Sequence, residues 1–211
     1  MAKLPVTPPT IGHLQYIGPK IHEIPPGEDF VRAFRQGGAH PCAWNTFRRF
    51  GPVNARFDHH RPPKKFHPDR AIFYAASCLT TCIAEAFQDT RTIHLTRHAP
   101  WLVVFETSRK LQLLDLTGSW PTRVGASMKI NSGPRNASRA WSRQFYEAFP
   151  TIDGIYYSSS MHANQPCIAL YERAENVLPA IPIFLRPLSE PSLQPDLKRA
   201  AQTIGYGIIP L

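Results

Sequence analysis

Two arginines have a side chain and a setting suited to binding phosphate. Arg32 lies in the sequence FVRAF, and Arg56 lies in the sequence NARF within an aromatic-rich stretch. A guanidinium is a planar fork of donors that fits phosphate oxygens in pairs. The alternative for both residues is an ordinary surface arginine.

The charge of the chain adds to this expectation. The net charge is +9, and residues 27–100 hold 11 Lys and Arg against 6 Asp and Glu. A basic region attracts nucleic acid, a nucleotide or an acidic protein, although it can also serve solubility alone. The basic character is confined to the middle of the chain, because residues 151–211 hold 4 basic against 5 acidic side chains.

One carboxylate occurs in an unusual setting. Glu85 is the only acidic residue between Asp69 and Asp89, and its surroundings, CLTTCIAEAFQ, are largely apolar. A carboxylate placed this way can stabilise a developing positive charge and orient a nucleophile. The alternative is a helix glutamate that faces solvent or pairs with an arginine.

Two further polar groups lie at the ends of predicted strands. Tyr74 is near the end of IFYAA, and a run of three serines, residues 158–160, follows GIYY. The tyrosine ring could stack on a ligand. The hydroxyl groups of the tyrosine and of a serine could each form a hydrogen bond with it. The alternatives are a core tyrosine and ordinary loop serines.

Hydrophobic periodicity places these residues on a mixture of strands and helices. Ser77 is predicted to cap the first helix, and residues 36–70 and 118–135 are predicted to be mainly loops. The pattern indicates an α+β protein with a cleft built on a sheet. The predicted strands span 30–34, 71–76, 101–107, 111–116, 153–157 and 167–171, and the predicted helices span 78–88, 137–149 and 196–203.

The distribution of proline predicts the domain organisation. Of 22 prolines in 211 residues, six fall in 1–26 and six in 179–211. Because proline blocks helices and ladders, these two stretches are predicted to be extensions of one central domain, residues 27–178. No apolar run is long enough to span a bilayer, and no signal peptide is recognisable, so a cytoplasmic protein without membrane contact is expected.

Common signatures of other site chemistries are absent from the sequence. It contains no GxGxxG, no GxxxxGKS or GxxxxGKT, no HExxH and no GxSxG. The four cysteines lack zinc-site spacing and are predicted to be buried free thiols. His59, His60 and His67 are predicted to lie at the surface or to face a phosphate, because adjacent histidines on a regular element cannot both face one metal. No metal is therefore expected.

Four features occur in a specific order along the chain. Arg32 in a short strand comes first, and the segment NARF with Arg56 second. Tyr74 and Glu85 form the third feature, in IFYAA and IAEAF, and the fourth is DGIYYSSS, residues 153–160, with the apolar strand CIALY after it. This succession resembles the RES-domain family over about residues 28–178.

The resemblance assigns roles by position. Arg56, Glu85 and Ser159 match the arginine, glutamate and serine after which the family is named, and the resemblance makes them catalytic. Arg32 and Tyr74 match further pocket positions, so NAD+ binding is implied for both, together with Arg56 and Ser159. The sequence departs from the family pattern at three positions, with Ala55 for Gly, Asp58 for Asn and Ser158 for Pro. These departures leave the choice among Ser158, Ser159 and Ser160 open.

The resemblance also implies a fold and an activity. The fold is that of the ADP-ribosyltransferases, a split mixed sheet with surrounding helices around an NAD cleft. The activity is that of a bacterial toxin that destroys NAD+ at the nicotinamide–ribose bond by hydrolysis or phosphorolysis, which depletes the cell of NAD+ and arrests growth. NAD+ is then the substrate, and no metal takes part.

A partner follows from the same resemblance. The family implies a cognate antitoxin with a DNA-binding domain, a segment of which blocks the active site, in a toxin–antitoxin hetero-oligomer. Two alternatives to this function are a mono-ADP-ribosyltransferase that modifies a protein and a non-catalytic basic module that binds nucleic acid. The +9 charge supports the latter, and the presence of Arg32, Arg56 and Glu85 together argues against it.

Overall fold

Alternating apolar side chains build the strands of a large mixed sheet, with helices packed around it. The computed structural model describes residues 4–209. Within them, the helices are α1 (Ile11–Ile17), α2 (Leu79–Ala86), α3 (Trp120–Arg123), α4 (Arg135–Ala148) and α5 (Gln194–Ile204). The strands of the sheet are β1 (Ile21–Ile24), β2 (Asp29–Arg35), β5 (Ile72–Ala76), β7 (Pro100–Glu106), β8 (Leu111–Asp115), β9 (Gly154–Ser158), β10 (Pro166–Tyr171) and β11 (Phe184–Pro187), and four shorter strands are β3 (Phe50–Gly51), β4 (Lys65–Phe66), β6 (Thr92–His94) and β12 (Gly207–Ile209).

The large sheet divides into two parts. Its strand order is β1-β8-β9-β10-β5-β2-β7-β11, and only β8 and β9 run parallel to each other. β2 pairs with β7 along its whole length, whereas β2 and β5 meet only at Val31 and Ala76. The two strands therefore diverge from one contact point, and this leaves space between them at the middle of the sheet. The predicted α+β fold with a mixed sheet and surrounding helices is confirmed.

Each face of the sheet carries its own hydrophobic core. Successive side chains of a strand point to opposite faces, so Ile72 and Ala76 of β5 belong to one core, while Phe73 and Ala75 belong to the other. The helix α4 packs Trp141 and Phe145 into the first core, and both are fully buried. This helix follows the apolar spacing that predicts it.

The start of α2 differs from the prediction. Cys78, not Ser77, is the N-cap, and no side chain caps the helix. The amide of Ser77 donates to the carbonyl of Pro166, which continues the pairing of β5 with β10 by one residue. Strand pairing thus delays the helix by one residue. All four cysteines are free, as expected; two are buried, and Cys42 and Cys78 are half-buried.

The proline-rich ends pack against the rest of the molecule. The N-terminal stretch forms α1 and the edge strand β1, which sequence periodicity did not reveal. The C-terminal stretch forms the opposite edge strand, β11, and the predicted helix, α5, which packs against α2. Both ends therefore complete the sheet, while the boundaries at residues 27 and 178 stay a prediction.

Gly154 explains why the DGIYY segment begins with glycine. Gly154 lies opposite Leu170 of β10. A Cβ at this position would stand 2.2 Å from the carbonyl oxygen of Ala169. Only glycine allows the two backbones to approach this closely. The close approach sets the start of β9, the strand that leads to the serines.

The three histidines contradict the expectation from sequence. His59, His60 and His67 are buried, with the first two fully inaccessible. They lie in an irregular segment, so adjacent side chains need not point to opposite sides. The ring centroids of His59 and His60 lie 5.4 Å apart. A surface or phosphate-facing role is therefore wrong for them. Among the helices of residues 4–209, none has the length and apolar character to cross a membrane.

Candidate active site

A cleft opens where β2 and β5 diverge. Its volume is about 270 Å³, close to the lower end of the range for small-molecule sites. Residues 31–33 of β2 and 74–76 of β5 form two walls, and α2 closes the cleft with Cys82, Glu85 and Ala86. The loop at residues 54–56 covers a third side. Sheet divergence thus places four separate chain segments around one space.

Glu85 and Ser159 form the central contact of this cleft. Ser159 Oγ donates to Glu85 Oε1 at 2.6 Å. The same oxygen accepts from the amides of Met161 and His162 at 3.1 and 3.2 Å. Because two amides hold the hydroxyl oxygen, its proton is directed to the carboxylate. Ser159 is buried and Glu85 is half-buried, so the serine fixes one carboxylate oxygen, while Gln88 Nε2 lies 3.5 Å from the other oxygen, Oε2.

The run of three serines separates by position. Ser158 is buried and pairs with Pro166 in the sheet. Ser160 is exposed and faces a different hollow, next to Asn164. Only the hydroxyl of Ser159 contacts Glu85. The geometry therefore singles out Ser159 among the three.

Arg56 lies in the cleft with most of its donors available. Its Nη1 donates to the carbonyl oxygen of Gly133 at 2.6 Å, which fixes the orientation of the guanidinium. Burial lowers the pKa of Arg56, and the nearby Glu85 carboxylate acts in the opposite direction. The ordinary pKa of arginine is so high that the group stays charged. The cleft thus holds a fixed positive charge near the Glu85 carboxylate.

Tyr74 points from β5 into the same space. It follows the alternation that places Ile72 and Ala76 on this face of the sheet. Its hydroxyl is buried and, within residues 4–209, has no hydrogen-bond partner. Burial raises the pKa of this hydroxyl far above its usual range, so it is a neutral donor. The hydroxyl therefore has donor capacity that a bound ligand can use.

Arg32 is placed differently from the other four residues. Arg32 points to the same face of β2 as Phe30 and Phe34, which belong to the core on the other side of the sheet. Its guanidinium carbon lies 4.0 Å from the centroid of the Phe73 ring. It donates to the carbonyls of Tyr74 and Thr46 at 3.2 and 3.4 Å. Arg32 lines the cleft, and its hydrogen bond to the Tyr74 carbonyl ties it to β5.

The structure adds a polar chain that sequence reasoning missed. Arg135 Nη2 donates to Gln88 Oε1 at 2.6 Å, and Gln88 in turn donates to the backbone oxygen of Glu85 at 2.8 Å. Arg135 Nη1 also contacts the carbonyl of Asn54 at 3.3 Å. Arg139, one turn later on α4, donates to the side-chain oxygen of Asn54 at 3.2 Å. Arg135 lies just before the predicted helix, residues 137–149, so its four-residue spacing from Arg139 was not recognised as one face of a helix.

The cleft offers no thiolate. Cys82 and Cys167 both line it. Burial raises the pKa of Cys82 to about 12 and that of Cys167 well above its usual range. Both are therefore protonated thiols with little nucleophilic character. Within residues 4–209, no group of three or more His, Cys, Asp or Glu is arranged to hold a metal ion.

The arrangement can bind an anion and act on an adjacent electrophilic carbon. Arg56 and Arg135 supply positive charge, while Glu85 supplies an oriented carboxylate that a bound cationic centre could approach. The Tyr74 hydroxyl can donate a hydrogen bond and its ring can stack. Of the five predicted residues, Arg32, Arg56, Tyr74 and Glu85 line the cleft, and Ser159 is hydrogen-bonded to Glu85.

Comparison with known proteins agrees with this architecture. A model of the RES domain matches residues 30–192, which is more than half of the chain. No curated protein sequence matches it. Among solved structures, the fold is similar to that of a chain from the crystal structure of the M. tuberculosis MbcT–MbcA toxin–antitoxin complex. The TM-score is 0.57 at 19% sequence identity, and the alignment covers 90% of this chain and 96% of that chain.

Proposed function

Because the chain belongs to the RES-domain family, we propose that it is an enzyme that cleaves the nicotinamide–ribose bond of NAD+ and acts as the toxin of a toxin–antitoxin pair. The observation that carries the proposal is the Glu85–Ser159 pair, oriented towards a cleft that also holds Arg56. A carboxylate and a fixed cation in one cleft suit a substrate with a cationic reacting end and an anionic pyrophosphate.

The bond-breaking step needs no acid. The electron pair of the bond between ribose C1′ and the pyridinium nitrogen goes to nicotinamide, which leaves as a neutral molecule. The positive charge then resides on the ribose as an oxocarbenium ion. Glu85 stabilises this charge, and its Oε2 accepts a proton from the incoming water as the water oxygen bonds to C1′. When phosphate is the nucleophile, the carboxylate serves only to stabilise the charge.

The other residues position the substrate. Ser159 holds the Glu85 carboxylate in one orientation, which lowers the cost of ordering it during the reaction. Arg56 binds the pyrophosphate or the ribose phosphate of the nicotinamide half. The Tyr74 hydroxyl donates to a substrate oxygen, and its ring packs against the base. Arg32 holds β5, and thereby Tyr74, through its bond to the Tyr74 carbonyl.

The decisive experiment measures nicotinamide release from NAD+ by the purified protein, with and without inorganic phosphate. The wild type should release nicotinamide, and Glu85→Gln should release it at a rate lower by about 10²–10³-fold. Glu106→Gln, an exposed carboxylate on β7, is the matched control and should keep full activity. A product that is ADP-ribose indicates hydrolysis, and ADP-ribose 1-phosphate indicates phosphorolysis. Release that requires an added protein acceptor indicates the transferase instead, and no release in any condition contradicts the proposal.

The proposed partner is an antitoxin whose acidic segment enters the basic cleft. The similar chain of known structure comes from a toxin–antitoxin complex, and the charge of +9 favours an acidic partner. Growing cells that express the chain alone should lose NAD+ and stop dividing, and co-expression with the protein encoded beside it should restore growth. Normal growth and normal NAD+ levels with the chain alone would contradict the toxin role. A DNA-binding part in the antitoxin is the corresponding expectation for the partner.

A further inference from the structure

A second hollow adjoins the cleft. It is lined by residues that include Arg35, Phe87, His94 and Arg97, and its volume is about 210 Å³. Ala86, the last residue of α2, and Asp89 line both spaces, so the two spaces adjoin. We refer to the second space as the distal hollow, and to the cleft and the distal hollow together as the groove.

The side chain of Arg35 faces this groove. Residues 31, 33 and 35 of β2 point to the same face of the sheet, and Val31 and Ala33 belong to the core below α2. Arg35 lies two residues beyond Ala33, which is about 7 Å along the strand at about 3.3 Å per residue. Arg35 therefore lies beyond the part of β2 that lines the cleft, residues 31–33.

The arginines of the distal hollow have no partner in the protein. Arg35 and Arg97 are exposed, and within residues 4–209 neither side chain forms a hydrogen bond or an ion pair. Asp89 is the only carboxylate of the hollow, and it lies towards the cleft, 3.7 Å from Arg135 Nη2. Two unpaired guanidinium groups in one concave site favour a bound anion.

The turn that carries Arg97 is held in place. The amides of Gln36 and Gly37 donate to the carbonyls of Ala99 and His98, each at 3.0 Å. A Cβ on Gly38 would stand 2.8 Å from the ring of His98, so glycine leaves room for this ring beside β2. The backbone thus ties the turn to the end of β2, and Arg35 and Arg97 approach the hollow from linked segments.

The other walls suit a base and a ribose. Phe87 is buried and forms an apolar wall, and His94 is half-buried beside it. Asp89 is exposed, with a carboxylate able to accept hydrogen bonds from ribose hydroxyls. We infer that the distal hollow binds the adenylate half of NAD+, with Arg35 and Arg97 on its phosphate, while the cleft holds the nicotinamide half. This inference rests on the proposed function.

Binding measurements with parts of the substrate test the distal hollow. Calorimetry on the Glu85→Gln background, which prevents turnover, gives dissociation constants for NAD+, for ADP and for nicotinamide mononucleotide. The double variant Arg35→Ala/Arg97→Ala should bind NAD+ and ADP about tenfold more weakly, which is the loss expected for charged hydrogen bonds. Its affinity for nicotinamide mononucleotide, which lacks the adenylate half, should stay within twofold.

Two controls separate a local effect from a general one. Arg123→Ala removes an exposed arginine of α3 that lies outside the groove and should leave all three affinities unchanged. Arg35→Gln/Arg97→Gln keeps the side-chain length, removes the charge and should reproduce the loss, while thermal denaturation shows that each variant is folded. Unchanged affinity for NAD+ and ADP, or an equal loss for nicotinamide mononucleotide, would overturn the inference.

The outcomes distinguish this inference from the proposed function. NAD+ cleavage by the wild type, together with unchanged NAD+ binding in the double variant, rejects the distal hollow and keeps the enzyme. Arginine-dependent binding of ADP without any nicotinamide release keeps the hollow as an adenylate site and rejects the enzyme. When both hold, steady-state kinetics on the double variant should show a KM for NAD+ raised about tenfold at an unchanged kcat.

Discussion

The cleft and the buried network of Asp58, His59, His60, Arg70 and Glu172 contain the same kinds of side chain in opposite circumstances. Asp58 is fully buried, and its carboxylate accepts from Arg48 at 3.0 Å, from the Val53 amide at 2.7 Å and from the His60 ring at 2.5 Å. In the cleft, Glu85 has one short hydrogen bond and is half-buried. The protein saturates the Asp58 carboxylate, whereas the second oxygen of Glu85 has a long, weak hydrogen bond from Gln88 at 3.5 Å.

The arginines differ in the same way. Arg70 is 1% exposed, with its guanidinium bonded to the His59 carbonyl at 2.9 Å and to Glu147. Arg56 has one hydrogen bond, to Gly133. A buried charge held by several partners holds loops together, whereas a charge with fewer partners in a cleft can bind a ligand. The number of remaining partners, more than the residue type, separates structural from functional charge in this protein.

The largest expected effect is the loss of Asp58. Asp58→Ala leaves Arg48, His60 and the Val53 amide without their acceptor and should lower the free energy of unfolding by about 3–5 kcal/mol. Urea denaturation at pH 7 gives this value. Asp69→Ala, an exposed aspartate in the same loop region, is the control and should change it by less than about 0.5 kcal/mol. Equal effects of the two variants would show that the buried network does not hold this loop.

The next largest effect is a loss of activity with little loss of stability. Glu85→Gln should reduce kcat for nicotinamide release by about 10²–10³-fold, which is about 3–4 kcal/mol, because the charge that faces the oxocarbenium ion is lost. The unfolding free energy should change by less than about 1 kcal/mol, since the carboxylate has few protein partners. Combined measurements of kcat and urea stability test the contrast. A variant that is as unstable as Asp58→Ala would assign Glu85 to the structure instead.

Acid should weaken the buried network. Burial lowers the pKa of His59 from 6.5 to about 4, against the opposing effect of Glu172 and alongside that of His60 and Arg70. Between these values the unfolded chain binds a proton that the folded chain does not, so stability falls as the pH decreases from 6.5 to 4. The loss should reach about 3 kcal/mol.

Denaturation at a series of pH values tests this slope. His59→Gln should flatten it between pH 6.5 and 4, since the group that titrates is absent. Glu172, whose pKa is lowered to about 2 despite its burial, adds its own loss of stability only as the pH falls from 4.5 towards 2. An unchanged slope in the His59→Gln variant would show that other groups cause the acid sensitivity.

The smallest effect concerns Ser159. Ser159→Ala removes the donor to Glu85 and should lower kcat about tenfold, or about 1.4 kcal/mol, while KM for NAD+ stays constant. A positioning residue affects the reaction step and not substrate binding, so the division between kcat and KM is the critical readout. Ser160→Ala, the exposed neighbour, should be as active as the wild type. An increased KM in Ser159→Ala would place the serine on the substrate instead.

The local elements could be predicted because they depend on nearby residues. The spacing in α4, the alternation in β2 and the continuous apolar run in β10 gave the right element types with boundaries within two residues. The resemblance carried by Arg56, Tyr74, Glu85 and Ser159 identified four residues that the structure brings to one cleft. The helix α1 and the strand β1 were missed, since their short apolar patterns form stable elements only against α4 and β8.

Burial and orientation could not be predicted in the same way. The three histidines carry no periodic signal in their irregular segment, so nothing in it shows that they are enclosed. Arg32 was predicted to bind the substrate; it lines the cleft with its guanidinium packed on Phe73, and its contact with substrate stays a prediction. Arg135 was missed because its role depends on Gln88 and Asn54, which are distant in sequence.

The sequence by itself determined the family, the order of the main elements and the identity of the central carboxylate, because these depend on residue types and on spacing along the chain. The tertiary structure decided which polar groups remain available. A sheet that diverges after Val31 and Ala76 exposes Arg56 and Glu85 to a shared space, while the surrounding loop encloses Asp58 and His60. Partners that lie far apart in sequence set this difference, and only folding brings them together.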